Sequence, residues 1–484
     1  MSISTAFANA LSGLNASARA AQVTSSNVAN AMTEGYARRE LVVSSVSLGG
    51  TGGGVRVVGV ARQVNQGVLA DRRLADATLG RETVRRDFLQ RVEAAIGTPE
   101  DAGSMTATIA DLDAALIAAA SRPDSEARLR AVADAAKSVA DRLRSASADV
   151  QEARAEADRA IARDVADLNT DLALVDRLNT DILAFRSAGQ DTTALMDQRQ
   201  AAVDRIARIV PVRELQGEND QIALYTTGGA LLLEGKPVAV GFTPAGVVSA
   251  DMTVASGALS VVSVGGLAAG GPDGGVLRGG SLGAHLEVRD RLAPALQSQL
   301  DALARDLIER FEEPAVDPTR LAGDPGLFTD AGAAFDPLAE TGLAARIAVN
   351  GAVLPELGGA LWRLRDGLGS AGPLDAGNAA GLIALSDALG AARIPASGAF
   401  LGAARSAAGL ASDLLSQVAG ARQEGENLQT QAGARQAALS LLLMENGVDT
   451  DAEMQTLLSV EQAYAANARV LKTLDDLLQL LMGI

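Results

Sequence analysis

The 484-residue chain contains no cysteine, which excludes disulfides, cysteine-ligated metals and thiol nucleophiles. Its only histidine is His285. No multi-histidine metal site can form, and a serine–histidine–aspartate triad would rest on that one residue; we read it as a helix-surface residue. Aromatic residues make up 2% of the chain. The core must therefore be built from Ala, Leu and Val, which suits long helices better than a deep ligand pocket. Basic charge is short as well. Lys and Arg number 42 against 59 Asp and Glu, a formal net charge of −17, so no nucleic-acid surface is expected. The longest uncharged run, Met252 to Pro272, is broken by Ser and Gly, and its valines (Val254, Val261, Val262, Val264) point to short strands. No membrane insertion is expected from it. Met1 to Ala18 lacks a basic n-region, so no cleavable leader is visible. Such a chain is either cytoplasmic or exported without cleavage.

What the chain does have is helical periodicity. Leu457, Val460, Tyr464, Asn467, Leu471, Leu474, Leu478 and Leu481 follow at intervals of 3, 4, 3, 4, 3, 4 and 3, the a/d seam of a helix made to lie along another helix. Asn467 is the only polar member, and a buried Asn in a seam fixes register at some cost in stability. Thr450-Asp451-Ala452-Glu453 fits a capping box at the start of this segment. The acidic set Asp449-x-Asp451-x-Glu453 is explained by capping, so no Ca²⁺ site is expected there. A second row, Ile3, Phe7, Leu11, Leu14, Ala18, Ala21 and Val28, recurs at helical spacing, and the first charge is Arg19. A stripe with so little polar surround is poorly suited to standing alone in water. The two segments are expected to pair with each other and with neighbouring molecules.

Several motifs near these rows carry a family resemblance. Ala10-Leu11-Ser12-Gly13-Leu14-Asn15-Ala16, Thr24-Ser25-Ser26-Asn27-Val28-Ala29-Asn30 and Thr33-Glu34-Gly35-Tyr36-Ala37-Arg38 resemble the N-terminal signature of flagellar axial proteins. Asn27, Asn30, Gly35 and Tyr36 are its marked positions here. Glu461-Gln462-Ala463-Tyr464-Ala465-Ala466-Asn467-Ala468-Arg469-Val470 resembles the matching C-terminal signature.

Between the two signatures, Leu41–Leu48 and Val55–Val60 read as strands of a hairpin joined by the Gly49–Gly54 loop. That loop is not a phosphate loop, because no Lys-Ser/Thr follows and the next element is a strand. Helical signal resumes at Asn65, breaks at Gly97-Thr98-Pro99 and restarts after Arg122-Pro123-Asp124-Ser125. From Leu129 the row Val132, Ala136, Val139, Leu143, Ala146, Val150, Ala153, Ala157 keeps the 3–4 alternation. The register slips near Ile161, and Leu168, Leu172, Val175, Ile182 and Phe185 resume it. One helix of roughly 60 residues, about 90 Å, is expected. Its outer charges Arg154, Glu156, Asp158 and Arg159 read as a solvated face. Gly189 is a C-cap, and a shorter helix from Thr193 ends before Pro211.

From Pro211 the chain turns rich in Gly and Val, which predicts a β-rich insert. A helix follows over Leu282–Glu313, then an irregular stretch with Trp362 as a packing anchor. A second long helix runs from about Phe400 to Glu445, with Leu410, Leu414, Val418, Leu428, Ala432, Leu439 and Leu442 inward. The fold class is mainly α with an inserted β-rich domain, elongated and multi-domain, its two end helices pairing like a coiled coil. The expected divisions are an assembly helix over 1–40, a helical bundle over 41–210 with a hairpin at 41–60, and a β-rich outer domain over 211–278. A returning helix over 279–313, a mixed outer segment over 314–395, the second half of the bundle over 396–448 and an assembly helix over 449–484 complete it.

Three further segments are similar to the hook-associated protein 1 family, the hook–filament junction branch: Arg91-Val92-Glu93 to Thr98-Pro99, Asp197-Gln198-Arg199, and Gly280-Ser281-Leu282 into Glu287-Val288-Arg289-Asp290. So is Glu445-Asn446-Gly447-Val448-Asp449-Thr450-Asp451-Ala452-Glu453-Met454. The resemblance implies a structural, non-catalytic flagellar subunit that leaves through the type III export channel and polymerises at the distal end of the hook. It implies self-association, the hook subunit on one side, the second junction protein or filament on the other, and an export chaperone on the C-terminal segment. It implies no cofactor and no metal. The alternatives are a flagellin or second junction protein, or, from another class, a carboxylate-based enzyme, for which no acid pair stands out.

Overall fold

A computed structural model describes the chain apart from residues 1, 2, 34, 49, 50, 272, 273, 401, 446 and 484 and the side chains of 48, 51, 52 and 481. Helix α1 (Ile3–Asn30) leads into an antiparallel hairpin, β1 (Arg38–Leu48) and β2 (Thr51–Gln63). Helices α2 (Gln66–Ile96), α3 (Met105–Ser121), α4 (Glu126–Ser187) and α5 (Thr193–Ile209) follow. Short strands come next: β3 (Val212–Gln216), β4 (Ile222–Thr226), β5 (Leu231–Glu234), β6 (Lys236–Pro237), β7 (Val240–Gly241), β8 (Ser263–Val264) and β9 (Leu267–Ala268). Then α6 (Gly280–Glu287), α7 (Ala293–Glu312), β10 (Phe328–Asp330), α8 (Leu343–Arg346), β11 (Ile347–Val349), α9 (Arg363–Asp366) and α10 (Ala380–Gly390) lead to the long α11 (Ala407–Glu445) and α12 (Thr450–Met482). The chain is mainly helical with a β-containing insert, as its periodicity predicts. No described helix is long and apolar enough to cross a membrane.

Local chemistry explains most boundaries. Ser104 caps α3 by accepting from the Ala107 amide at 3.2 Å. α4 has 62 residues, the length the 3–4 alternation predicts. It ends in a Schellman turn: Gly189 has φ +69°, its amide donates to the Arg186 carbonyl, and the Gln190 amide donates to Phe185. α6 continues into α7 through a π turn over Val288–Leu292, so the expected single helix carries one irregular turn. α11 begins at Ala407, later than the apolar pattern suggests. The expected glycine loop is shorter, since β2 already starts at Thr51.

The capping box is not what starts α12. Asp449 is the N-cap and accepts from the Asp451 and Ala452 amides at 2.9 and 3.1 Å. Glu453 turns away from the cap and pairs with Arg38. A single oxygen, Asp449 Oδ1, takes both of these orphan amides from one residue further out, which leaves Thr450 inside the first turn.

The described residues divide into two compact units, one of 1–79, 166–240 and 431–484, the other of 80–165 and 241–430. The β-rich stretch is cut at Val240. The four-stranded sheet β3–β4–β5–β6 lies in the first unit, and the hairpin β8–β9 lies in the second. In the first unit, Asn179 of α4 docks β4 by donating to the Ile222 carbonyl at 3.0 Å and accepting the Ile222 amide at 3.4 Å. Asn169, ten residues earlier on α4, does the same to Val240 at 2.7 and 3.0 Å. The expected inward row Leu168, Leu172, Val175 and Ile182 is buried, but Phe185 is exposed.

In the second unit, the α4 row from Leu129 to Ala157 is buried in one continuous core. α3, α7, α10 and the first part of α11 share it, and the weakly patterned stretch adds Leu343, Ile347, Val353, Leu361 and Leu364. Trp362 is half-buried, with the Arg363 guanidinium 4.8 Å above its ring. His285 is not a free surface residue: it is half-buried, with Nδ1 3.1 Å from Asp164.

The solvated-face reading fails at two of its four residues. Arg154 and Asp158 are each 1% exposed. The Arg154 guanidinium donates to the carbonyls of Arg289, Ser249 and Met252 at 3.0, 2.8 and 2.7 Å. Asp158 accepts from Arg289 at 2.7 Å and from the Ala245 amide at 2.7 Å. Arg289, wholly buried, also pairs with Asp290 and donates to the Ser260 carbonyl at 3.0 Å. Burial pushes the Arg154 guanidinium down from its ordinary value. Burial acts on Arg289 too, but the hydrogen bonds and charges of Asp290 and Asp158 outweigh it and hold that guanidinium up. These bonds tie the irregular stretch around residues 245–260 to α4, replacing the apolar packing that a Ser- and Gly-rich segment cannot supply.

Replacing Arg289 by Met should therefore destabilise the chain by about 3–5 kcal/mol, because Asp158 stays buried without its cation. Adding Asp158→Leu should recover part of that loss, and urea unfolding of the two variants measures both.

Candidate assembly site

The helices carrying the two apolar rows lie along each other in the first unit, and the β1–β2 hairpin packs on α1 beside them. The turn from α1 into the hairpin is set by Asn27, which is 1% exposed. Its Nδ2 donates to the Arg39 carbonyl at 2.8 Å, and its Oδ1 accepts from the Arg39 amide at 3.0 Å and the Tyr36 hydroxyl at 2.9 Å. One amide side chain of the helix thus pairs with both backbone groups of Arg39 at the start of β1. Gly35 has φ +82°, the left-handed conformation the reversal needs. Asn30 donates to the Ser26 carbonyl at 2.9 Å, and the Tyr36 amide closes on the Thr33 carbonyl. The four marked positions form one turn.

Charge fastens that turn to the rest of the unit. Arg39 stacks over Tyr36 at 4.8 Å and reaches Asp197 of α5 at 3.1 Å. Arg62 of β2 meets the same carboxylate at 2.7 Å. Burial raises the Tyr36 hydroxyl above its ordinary value, with Arg39 opposing. Arg38 pairs at 2.7 Å with Glu453, which is 2% exposed, and so joins the turn to the first turn of α12. The interior of α5 carries a further arginine. Arg199 donates through one nitrogen to Asn179 Oδ1 at 2.8 Å and to the Asp220 carbonyl at 2.5 Å. Burial, with Arg62 and Arg73 adding to it and Glu214 opposing, lowers its pKa to about 10.

The two helices meet across small side chains. A β-carbon on Gly13 would lie 2.9 Å from the Asn467 amide group, so Asn467 of α12 sits against α1 where α1 has no side chain. Asn467 satisfies its own Nδ2 on the Ala463 carbonyl at 3.0 Å. On the other flank, Ser12 Oγ accepts the Val55 amide at 3.1 Å, next to Gly54 at φ +90°. The covered row of α1 is Ala10, Gly13, Ser17, Ala20, Thr24 and Asn27, in which Ala10, Thr24 and Asn27 are fully buried. Its spacing alternates 3 and 4 throughout, and Val23 is buried beside it.

The expected N-terminal row is therefore displaced from the covered face. Ile3, Leu14, Ala21 and Val28 are half-buried, whereas Phe7, Leu11 and Ala18 are exposed. On α12 the expected row stands nearer its partner. Leu457, Val460, Asn467, Leu471 and Leu474 are half-buried, Tyr464 and Leu478 are exposed, and the Leu481 side chain lies outside the described residues. A second apolar set stays open on α12: Met454, Leu458, Val470, Leu477, Leu480 and Met482 are between 46% and 84% exposed. Sequence reading missed Gly13, Arg38, Arg39, Arg62 and Glu453. A glycine inside a helix, costing about 1 kcal/mol against Ala, was the one available sign of a close approach.

Comparison with known families accounts for this arrangement. Residues 7–36 match the family described as flagella basal body rod protein. Residues 89–328, about half the chain, match the flagellar hook-associated protein FlgK helical domain. Residues 443–484 match the flagellar basal body rod FlgEFG protein C-terminal family. The paired helices and the long helices between them are thus those of a flagellar axial protein. Within that class the chain belongs to the FlgK family of hook-associated proteins.

Flagellar hook-associated protein 1 of Escherichia coli (strain K12) is 24% identical over 234 residues, which is 47% of this chain and 42% of that protein. The flagellar hook junction protein FlgK from Burkholderia pseudomallei is similar with a TM-score of 0.44 and 19% identity, over 54% of this chain and 47% of that one. The chain spans less than half the length of either relative.

Gly13→Val should cost about 1–3 kcal/mol by overpacking the helix pair. Combining it with Asn467→Ala should restore most of the loss. A coupling under about 0.5 kcal/mol in that double-mutant cycle would mean the two positions do not touch.

Proposed function

We propose that this chain is a structural subunit of the bacterial flagellum that polymerises at the distal end of the hook and forms the junction with the filament, without catalysis. One observation carries the reading. The α1–α12 pair is built and tied down, yet Phe7 and Leu11 on one helix and Leu458, Val470, Leu477 and Leu480 on the other remain open to solvent. Exposed apolar side chains of this kind on a structured element mark an interaction surface. Phe7 and Leu11 belong to the N-terminal seam of the sequence reading, whereas the four α12 residues lie beside the C-terminal seam, and neighbouring copies would cover both sets.

On this reading the subunit associates with itself, with the hook subunit on one side and with the second junction protein or filament on the other. An export chaperone covers the C-terminal segment before the chain leaves through the flagellar channel, because an uncovered leucine row invites aggregation. The family matches support the flagellar assignment.

Immunogold labelling of intact flagella should give a narrow band at the outer end of the hook; label along the filament would overturn the placement. A chain lacking Leu471 to Ile484 should stay soluble and helical yet fail to support filament growth. Amides over Leu471–Leu478 should exchange fast in the monomer and become protected on assembly.

A further inference from the structure

The first unit contains a buried cluster of charge that does not balance. Arg72 pairs with Asp76 at 3.0 Å and with Asp204 at 2.5 Å. Arg73 takes the other oxygen of Asp204 at 2.6 Å and Glu214 at 2.7 Å. Arg39 and Arg62 share Asp197. Arg199 is the fifth guanidinium, 7% exposed, and it makes no ion pair among the described residues. Its two partners are a neutral amide oxygen and a backbone carbonyl, both reached through Nη1. Five cations thus meet four carboxylates. Asp220 does not supply the fifth, because its carboxylate pairs with Arg186.

The excess charge borders a space. A cavity of about 60 Å³ is lined by Arg62, Arg73 and Arg199, with Gln66, Gln200 and Gln216 among the other walls. That is several times the roughly 10–15 Å³ one water needs. Glu214 and Asp220 also reach the wall, but Arg73 and Arg186 already hold their carboxylates. A buried cation without a counter-charge is costly, and a partner that supplies both charge and hydrogen-bond acceptance removes the cost.

We propose that this cavity is a binding site for one small inorganic anion, chloride in physiological solution, held by the Arg199 guanidinium with Arg62 and Arg73 beside it. The ion brings the cluster to neutrality and accepts from the Arg199 nitrogens that meet no protein acceptor. It binds the folded unit only, since the three arginines come from β2, α2 and α5 and converge through folding.

The test uses the full chain, with sodium chloride exchanged for sodium methanesulfonate at fixed ionic strength. The unfolding midpoint should rise by about 3–5 °C per tenfold chloride once the site is occupied. The variant R199Q should lose that dependence, while R278Q, at an exposed arginine elsewhere, should keep it. A midpoint indifferent to chloride in the unaltered chain overturns the site and leaves water in the cavity, and so does a response that R199Q shares. Should R199Q fail to fold, ³⁵Cl resonance of the unaltered chain decides the matter. Excess line width displaced by bromide supports the site, and its absence overturns it.

Discussion

The pairing of α1 with α12 depends on a lack of side-chain bulk. Gly13 opposite Asn467, with Ala10, Ser17, Ala20 and Thr24 along the same face of α1, lets two helices from distant parts of the chain approach closely. Because small side chains fill much of the contact, the two bulky residues Phe7 and Leu11 are left for elsewhere. Phe7 and Leu11 point outward for that reason, and the face that looks most hydrophobic in the sequence is not the face that is covered. The hairpin and the Asn27 turn then hold α1 in place from its other side, and the Arg38–Glu453 pair fixes where α12 begins beside it.

Buried arginines do in this molecule what aromatic side chains do in others. With aromatics at 2% of the chain, irregular segments have few large apolar groups to anchor them. Arg154 and Arg289 collect carbonyls from residues 249, 252 and 260. Arg310, wholly buried, does the same for Ala388, Ala391 and Arg405 while paired with Asp306. Asp301 is the acidic counterpart, accepting the amides of Gly342 and Ala344 at 2.8 and 2.9 Å ahead of the short α8. Burial raises its carboxyl above the usual range, against the pull of those amides. A guanidinium has five donors in a rigid fork, so one residue can satisfy several loop carbonyls at once. The same economy leaves Arg199 with donors to spare.

Much of this was legible in the sequence, and the failures share a cause. The α4 row from Leu129 to Ala157 and the Gly189 stop could be read because apolar spacing and a left-handed glycine each have one physical meaning. Arg154 and Asp158 could not, although Val150, Arg154 and Asp158 stand four residues apart on one flank of the buried row. A charge beside an apolar stripe looks alike whether it faces water or a distant carbonyl. Ranking by hydrophobicity likewise favoured Phe7 and Leu11 over Ala10 and Gly13. Thr450 was preferred over Asp449 as the cap because the box pattern scores Glu453, which the fold spends on Arg38. Of the candidate site, the Asn27–Asn30–Gly35–Tyr36 turn was found by resemblance, and only the structure supplied its hydrogen bonds.

Charge distribution constrains how such chains can meet. At a net charge of −17 two copies repel over most of their surface, and within a Debye length of about 8 Å at physiological salt that repulsion is not screened away. Contact is least opposed where charge is sparse. α1 carries one charged residue, Arg19, in its 28 positions. Among the α12 residues from Val470 onward that stay exposed, the apolar Val470, Leu477, Leu478, Leu480 and Met482 are interrupted by Lys472, Asp475 and Asp476 as the charged ones. Apolar burial there can proceed without stacking acid on acid, whereas the rest of the surface is held apart. If copies associate as proposed above, the same charge would favour contact along this pair of helices over the rest of the surface.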